Sequence, residues 1–181
     1  MGMNNSRNFD LLTLGQVLLR LSPPDNERLS RGDTFVKQVG GAELNVAVGA
    51  ALLGLHTGVI SKLPAHDIGS FMKGKIRSFG VSDDFFMYDQ SSSARVGIYY
   101  YENGAYPRKP KVIYDRNNSS FFSLNIDEIP EEVYTASKCF HTTGITLALN
   151  EDIRETTIDM IKRFKAAGTL VSFDVNFRGN L

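Results

Sequence analysis

The sequence predicts an α/β fold: a parallel sheet with crossover helices, and a separate small β-sheet beside it. Three observations carry this. From Phe9 to Met87 short apolar runs alternate with helical stretches, the rhythm of strands joined by crossover helices. Two β-rich runs between Val96 and Arg116 then follow with no helix between them. The strand–helix rhythm returns from Pro130 to Asp174.

Taken in order, Phe9-Asp10-Leu11-Leu12-Thr13-Leu14-Gly15 reads as a buried first strand. Val17-Leu18-Leu19-Arg20-Leu21-Ser22 continues extended until Pro23-Pro24 stops it. A polar loop from Asp25 to Asp33 leads to a short strand at Thr34–Gln38. Gly40-Gly41 opens a helix beginning near Ala42, apolar almost all round and so expected to be deeply buried, and Gly54 ends it. Thr57–Ser61 makes a second core strand. A helix over roughly His66 to Phe79 closes on Gly80, and Asp83 to Met87 reads as a short strand.

Val96–Tyr101 and Lys111–Arg116, joined by Glu102-Asn103-Gly104-Ala105-Tyr106-Pro107, read as a hairpin. Side chains alternate across a strand, so Val112, Tyr114 and Arg116 share one face. With the early runs Val17–Ser22 and Thr34–Gln38 joining it, segments 16–38 and 94–118 form a small sheet that would act as a lid. A short helix near Pro130 to Ser137 precedes a strand at Lys138–Thr142. The next helix has Asn150 as its N-cap, Glu151 and Asp152 in its first turn, and Gly168 at its end. Ile153, Thr157, Met160, Ile161 and Phe164 fall on one of its faces. Thr169–Asp174 is the last strand, and residues 1–181 read as part of one α/β domain.

A chain of 181 residues, 42% hydrophobic and 22% charged, suits a globular domain with a real core. Twenty basic and twenty acidic residues cancel, so nothing points to nucleic acid or an anionic membrane as partner. Arg108-Lys109-Pro110-Lys111 reads as a solvated loop. The N-terminus lacks the apolar region of a secretory signal, and the longest apolar run is too short to span a bilayer. The single cysteine, Cys139, cannot form an internal disulfide, so a cytoplasmic setting is expected. Its strand-like neighbours give it a packing role, with a catalytic thiol as the second reading.

Polar groups gather where an open parallel sheet binds ligands, at the C-terminal strand ends: Gly40-Gly41, the Thr142-Thr143-Gly144 turn, and Asp174 through Arg178. Gly40 and Gly41 let backbone approach a ligand, and the helix behind them offers unpaired N–H groups with Asn45 one turn in. The other reading is a tight turn with no ligand. Asp174-Val175-Asn176-Phe177-Arg178 sets an acid, an amide and a guanidinium at one edge, able to grip hydroxyls and anions or to form a salt bridge and a cap. Tyr114 and Arg116 can read a hydroxyl and a carboxylate, or simply face outward from the hairpin. His56 and His66 lack metal-ligand spacing, and no zinc pattern, Walker loop or nucleophile elbow occurs.

Five segments in order resemble the ribokinase-like sugar kinases, also called the phosphofructokinase-B family. They are Gly40-Gly41-Ala42-Glu43-Leu44-Asn45-Val46-Ala47, Lys62-Leu63-Pro64 to Gly69, Gly97-Ile98-Tyr99, Val112-Ile113-Tyr114-Asp115-Arg116 and Asp174-Val175-Asn176-Phe177-Arg178. The resemblance is nearest to the branch acting on 2-keto-3-deoxygluconate. It implies a Rossmann-like core with a β-lid, often shared in a homodimer, and phosphoryl transfer from ATP with Mg²⁺ to a sugar hydroxyl. By position it implies that Gly40, Gly41 and Asn45 hold sugar hydroxyls and that Tyr99, Tyr114 and Arg116 reach in from the lid. Arg116 suits a sugar-acid carboxylate, with Arg178 also toward the substrate, and Asn176 and Arg178 lie toward the phosphate being transferred.

The chain departs from the family pattern in three places. Glu43 stands where many members have a small residue or proline, which suits the sugar-acid branch. Gln16 stands where an acid is often found. The motif Asp-Thr-x-Gly-Ala-Gly-Asp, which carries the family's base and anion hole, does not occur. The chain is therefore expected to hold the sugar-binding half of an incomplete fold, with no catalytic residue, no metal ligand and no activity alone. Two other readings stand beside the sugar-acid kinase: a non-catalytic sugar-binding or regulatory module, and a fructokinase- or ribokinase-type specificity.

Overall fold

The computed structural model describes residues 7–177. Its centre is a parallel sheet built on β1 (Phe9–Leu14) and β4 (Thr57–Pro64), which pair in register from Leu11↔Thr57 to Leu14↔Ile60. β9 (Ser137–Thr143) lies on the other side of β1, and β10 (Leu170–Asp174) pairs with β9. β5 (Val81–Ser82) and β6 (Phe86–Asp89) pair successively along β4, giving the order β10-β9-β1-β4-β5. All eight residues of β4 are buried, as expected for a strand covered on both faces.

Alternation splits the core in two. Leu12, Leu14, Ile60 and Phe140 pack on one face against Ile153, Met160 and Phe164 of α4 (Glu151–Ala166). Phe140 and Phe164 stack with ring centroids 4.1 Å apart. On the other face Val59 and Leu63 meet Leu44 and Ala47 of α1 (Ala42–Leu52), with Met72 and Ile76 of α2 (Asp67–Ser78). Asn150 caps α4 by accepting from the Ile153 amide, and Gly168 follows the helix at φ +75, as the sequence predicts.

A second sheet, in the order β3-β2-β7-β8, stands apart from the first. β2 (Leu18–Ser22) pairs antiparallel with β3 (Val36–Gly40) and parallel with β7 (Gly97–Glu102), and β7 pairs antiparallel with β8 (Lys111–Asp115).

Four expectations change. α1 is not buried all round: Glu43, Leu44 and Ala47 are covered, whereas Leu52 is 78% exposed, because the helix packs on the sheet from one side only. Asp83 to Met87 is not one strand, since a turn separates β5 from β6. Pro130 to Ser137 tightens into a 3-10 turn at Glu131–Thr135. A four-residue helix, α3 (Gly144–Leu147), follows β9 where only a turn is expected.

The segment after β8 is anchored from below. Lys62 Nζ, buried on β4, donates to both carboxylate oxygens of Glu128 at 2.8 Å and to the Ser123 carbonyl at 3.0 Å. Asp89 accepts from the Ser120 hydroxyl at 2.8 Å and from the Ser91 amide at 3.0 Å. Burial pushes the Asp89 pKa up, but these bonds and the Lys62 charge outweigh it and hold it below 3.8. A depressed carboxylate stabilises above its unfolded pKa and stops doing so as pH falls through the folded value. Asp89→Asn should therefore lower the melting temperature at neutral pH, with the gap to the unaltered chain closing below pH 3.8 in a thermal series.

Among the described residues β10 pairs only with β9, and it shows Leu170 (69% exposed) on one face and Phe173 (47%) on the other. Self-association through this edge is expected. Leu170→Lys with Phe173→Lys should shift sedimentation toward monomer; an unchanged profile would place the association elsewhere.

Candidate functional site

The cleft between the two sheets, about 750 Å³, opens at the C-terminal end of β1. Gly41 makes its tightest corner. Its φ of +151 is a conformation few side chains adopt, and an added Cβ would lie 2.8 Å from the Gln16 carbonyl oxygen. Gly41 is the N-cap of α1 and no side chain caps the helix, so its first-turn amides are available to a ligand. Gly40 sits just behind, buried, where a Cβ would lie 2.5 Å from the Tyr99 hydroxyl.

Gln16 fixes the opposite wall. This buried side chain accepts from Arg116 Nε at 2.8 Å and donates to the Arg116 carbonyl at 3.2 Å and to Ser119 Oγ at 2.6 Å. Arg116, 8% exposed, is thus held at one nitrogen, and its outer Nη groups make no hydrogen bond within the described residues. Burial pushes its pKa down, while Tyr114 and the Glu43 charge act the other way. The guanidinium stays charged at any ordinary pH.

The second sheet supplies the rest. Arg20 pairs in register with Tyr99, and Tyr99 with Tyr114, so three side chains stand in a row facing the cleft. The Tyr99 and Tyr114 ring centroids are 6.1 Å apart, and the Arg116 guanidinium lies 5.7 Å from the Tyr114 ring centroid. Arg20 rests 4.3 Å from the Tyr101 ring centroid. Burial raises the Tyr99 pKa, which keeps its phenol protonated and able to donate.

From α1 the buried carboxylate of Glu43 reaches the same cleft. Its Oε1 accepts from Thr143 Oγ1 at 2.6 Å and from Thr146 Oγ1 at 2.7 Å.

Of the residues singled out in the sequence, the fold brings Gly41, Asn45, Tyr99, Tyr114 and Arg116 onto one cleft, with Gly40 directly behind. Asn176 lies past the end of β10, its backbone N–H donating to Asp174 Oδ1 at 3.0 Å, and is not in the cleft wall. Arg178 lies outside the described residues. Arg20 and Tyr101 were not anticipated as parts of the site, and Gln16, read only as a departure from the family pattern, braces Arg116. A lone charge in the apolar run Val17–Leu21 was the available signal for Arg20. Cys139 is half-buried with its pKa pushed up by burial, and it does not line the cleft. Among the described residues no group of three His, Cys, Asp or Glu side chains is placed to hold a metal, and no helix is long and apolar enough to cross a membrane.

The pfkB family carbohydrate kinase model matches residues 8–181. A 2-dehydro-3-deoxygalactonokinase from Haloferax volcanii is 38% identical over 172 residues, covering 95% of this chain and 53% of its own. A 5-dehydro-2-deoxygluconokinase from Clostridium beijerinckii is 30% identical over 176 residues, covering 97% and 51%. The crystal structure of 2-dehydro-3-deoxygluconokinase from Thermotoga maritima superposes with a TM-score of 0.90 at 36% identity, covering 96% of this chain and 52% of that one. The chain spans about half the length of the curated relatives it matches.

Gly41→Ala adds backbone strain to a clash with fixed backbone and should cost about 2 kcal/mol in urea unfolding. Gly40→Ala, whose clash is with the movable Tyr99 phenol, should cost less.

Proposed function

The chain belongs to the pfkB family of carbohydrate kinases, and on that premise we propose that its cleft binds the sugar acid of a sugar-acid kinase. The substrate would be 2-keto-3-deoxygluconate or a close epimer, receiving the γ-phosphate of ATP with Mg²⁺ as the family implies. The observation that carries this reading is the buried Arg116 guanidinium, held by Gln16 at Nε with its Nη groups left for a carboxylate. Arg20 adds a second positive charge in the wall, which favours an acid over a neutral fructose- or ribose-like sugar.

The roles follow from chemistry. Gly41 lets a hydroxyl approach the first-turn amides of α1, and Asn45 offers an amide one turn further on. Tyr99 and Tyr114 donate to hydroxyl or carbonyl oxygens, and Arg116 holds the carboxylate. Asn176 and Arg178 would lie toward the transferred phosphate. The chain's contribution is positioning in a donor-rich, partly dry cleft, which is much of what phosphoryl transfer requires of a protein.

The second sheet would act as the lid over the sugar. A homodimer through it is supported by the exposed apolar residues Val36 on β3 and Ile113 on β8, with Phe35 just before β3. The single half-buried thiol fits a cytoplasmic setting.

Calorimetric titration with 2-keto-3-deoxygluconate should show binding that Arg116→Ala weakens about tenfold or more, the loss expected for one charge-assisted contact. Fructose bound as tightly as the acid would point instead to a neutral-sugar kinase. No sugar binding at all would sink the reading.

A further inference from the structure

One buried charge is not absorbed by this reading. Glu43 is 2% exposed, yet it lines the cleft. Its two oxygens are in different situations. Oε1 takes both hydroxyl donors, Thr143 and Thr146. Oε2 accepts no hydrogen bond within the described residues and lies over Gly15, where even a Cβ would come within 2.2 Å of it. Oε2 is not sealed from solvent, and a carboxylate oxygen on a nearly buried side chain that faces a cleft with no protein donor is short of a ligand donor. Gly15 directly follows β1, at the C-terminal strand ends where ligands of open α/β folds sit.

We infer that Glu43 is a substrate-specificity residue: its Oε2 accepts a hydrogen bond from a hydroxyl of the bound sugar acid, and its charge rejects a second carboxylate there. This rests on the sugar-acid reading above. The cleft is then bipolar. Arg116, at the end of β8, takes the carboxylate end of the ligand, and Glu43, on α1, takes a hydroxyl-bearing end. Among the described residues no ion pair joins the two charges, and each is held by neutral partners: Gln16 for Arg116, Thr143 and Thr146 for Glu43. A polyhydroxy monoacid fits this arrangement in one orientation only. A diacid of the same backbone would set carboxylate against carboxylate.

Glu43→Gln tests it. The amide oxygen can still accept from both threonine hydroxyls, while Nε2 puts a donor where Oε2 was. Affinity for 2-keto-3-deoxygluconate and for the corresponding diacid, 2-keto-3-deoxyglucarate, is measured by calorimetry. The unaltered chain should prefer the monoacid. Glu43→Gln should weaken monoacid binding about tenfold and strengthen diacid binding, so that the preference shrinks or reverses. A purely structural role would weaken both ligands alike, and equal losses or unchanged affinities overturn the inference. If Glu43→Gln does not fold, Glu43→Asp decides: it keeps the charge but retracts it, so the monoacid should weaken while the diacid stays rejected, and any gain in diacid binding overturns the inference. A chain that binds the neutral sugar as well as the acid fails the sugar-acid reading at Arg116. A chain that binds the acid with no change at Glu43 fails this inference alone.

Discussion

The Gln16 side chain is the tie on which the site depends. It follows β1 directly and is bonded, 100 residues away, to both the guanidinium and the carbonyl of Arg116, and also to Ser119. With its oxygen and its amide both engaged, the side chain has one orientation that satisfies its partners, and that orientation sets Arg116 in the cleft wall. The same bonds fasten the end of β8 to the parallel sheet. Removing this amide would leave a buried guanidinium and a buried hydroxyl short of partners, a cost that apolar packing at the same place would not recover.

A carboxylate and a guanidinium buried in one cleft would ordinarily be expected to close on each other. Here they are kept apart, each stabilised by neutral hydrogen-bonding groups that fix its position without discharging it. Such an arrangement is unfavourable for the unliganded protein and useful for a ligand, because the charges are oriented before anything binds and need little reorganisation when it does. The burial that lowers the Arg116 pKa and raises that of Tyr99 belongs to the same design. Water is thinned out around groups whose donors then act at short range.

Much of this was legible in the sequence where local pattern and tertiary context agree. The α4 helix was readable because Asn150, the 3.6-residue period from Ile153 to Phe164, and Gly168 all point the same way. The alternation that puts Tyr114 and Arg116 on one face needed only a strand. α1 misled because composition reports apolarity, not what is available to cover it, and Leu52 has no cover among the described residues. The β5–β6 break was hidden because Asp83 to Met87 read as one short strand, whereas Val81 and Phe86 pair with β4 at different heights on either side of a turn. Gln16 was the harder case. As a single polar residue between two strands, its meaning lies in a partner 100 positions on, a separation at which no periodicity carries information.

The parallel pairing of β2 with β7 carries a consequence for how the molecule is built in time. Leu18 meets Gly97, and between them lie β3, α1, β4, α2, β5 and β6. Closing so long a loop is entropically costly until those intervening elements have condensed and shortened the effective path. The second sheet is therefore not one local ribbon: β2 with β3, and β7 with β8, are antiparallel pairs of strands near in sequence, and the β2–β7 pairing joins the two across that gap. The binding cleft spans still wider separations and is complete only when Gln16 has met Arg116 and Glu43 has met Thr143, each pair 100 residues apart.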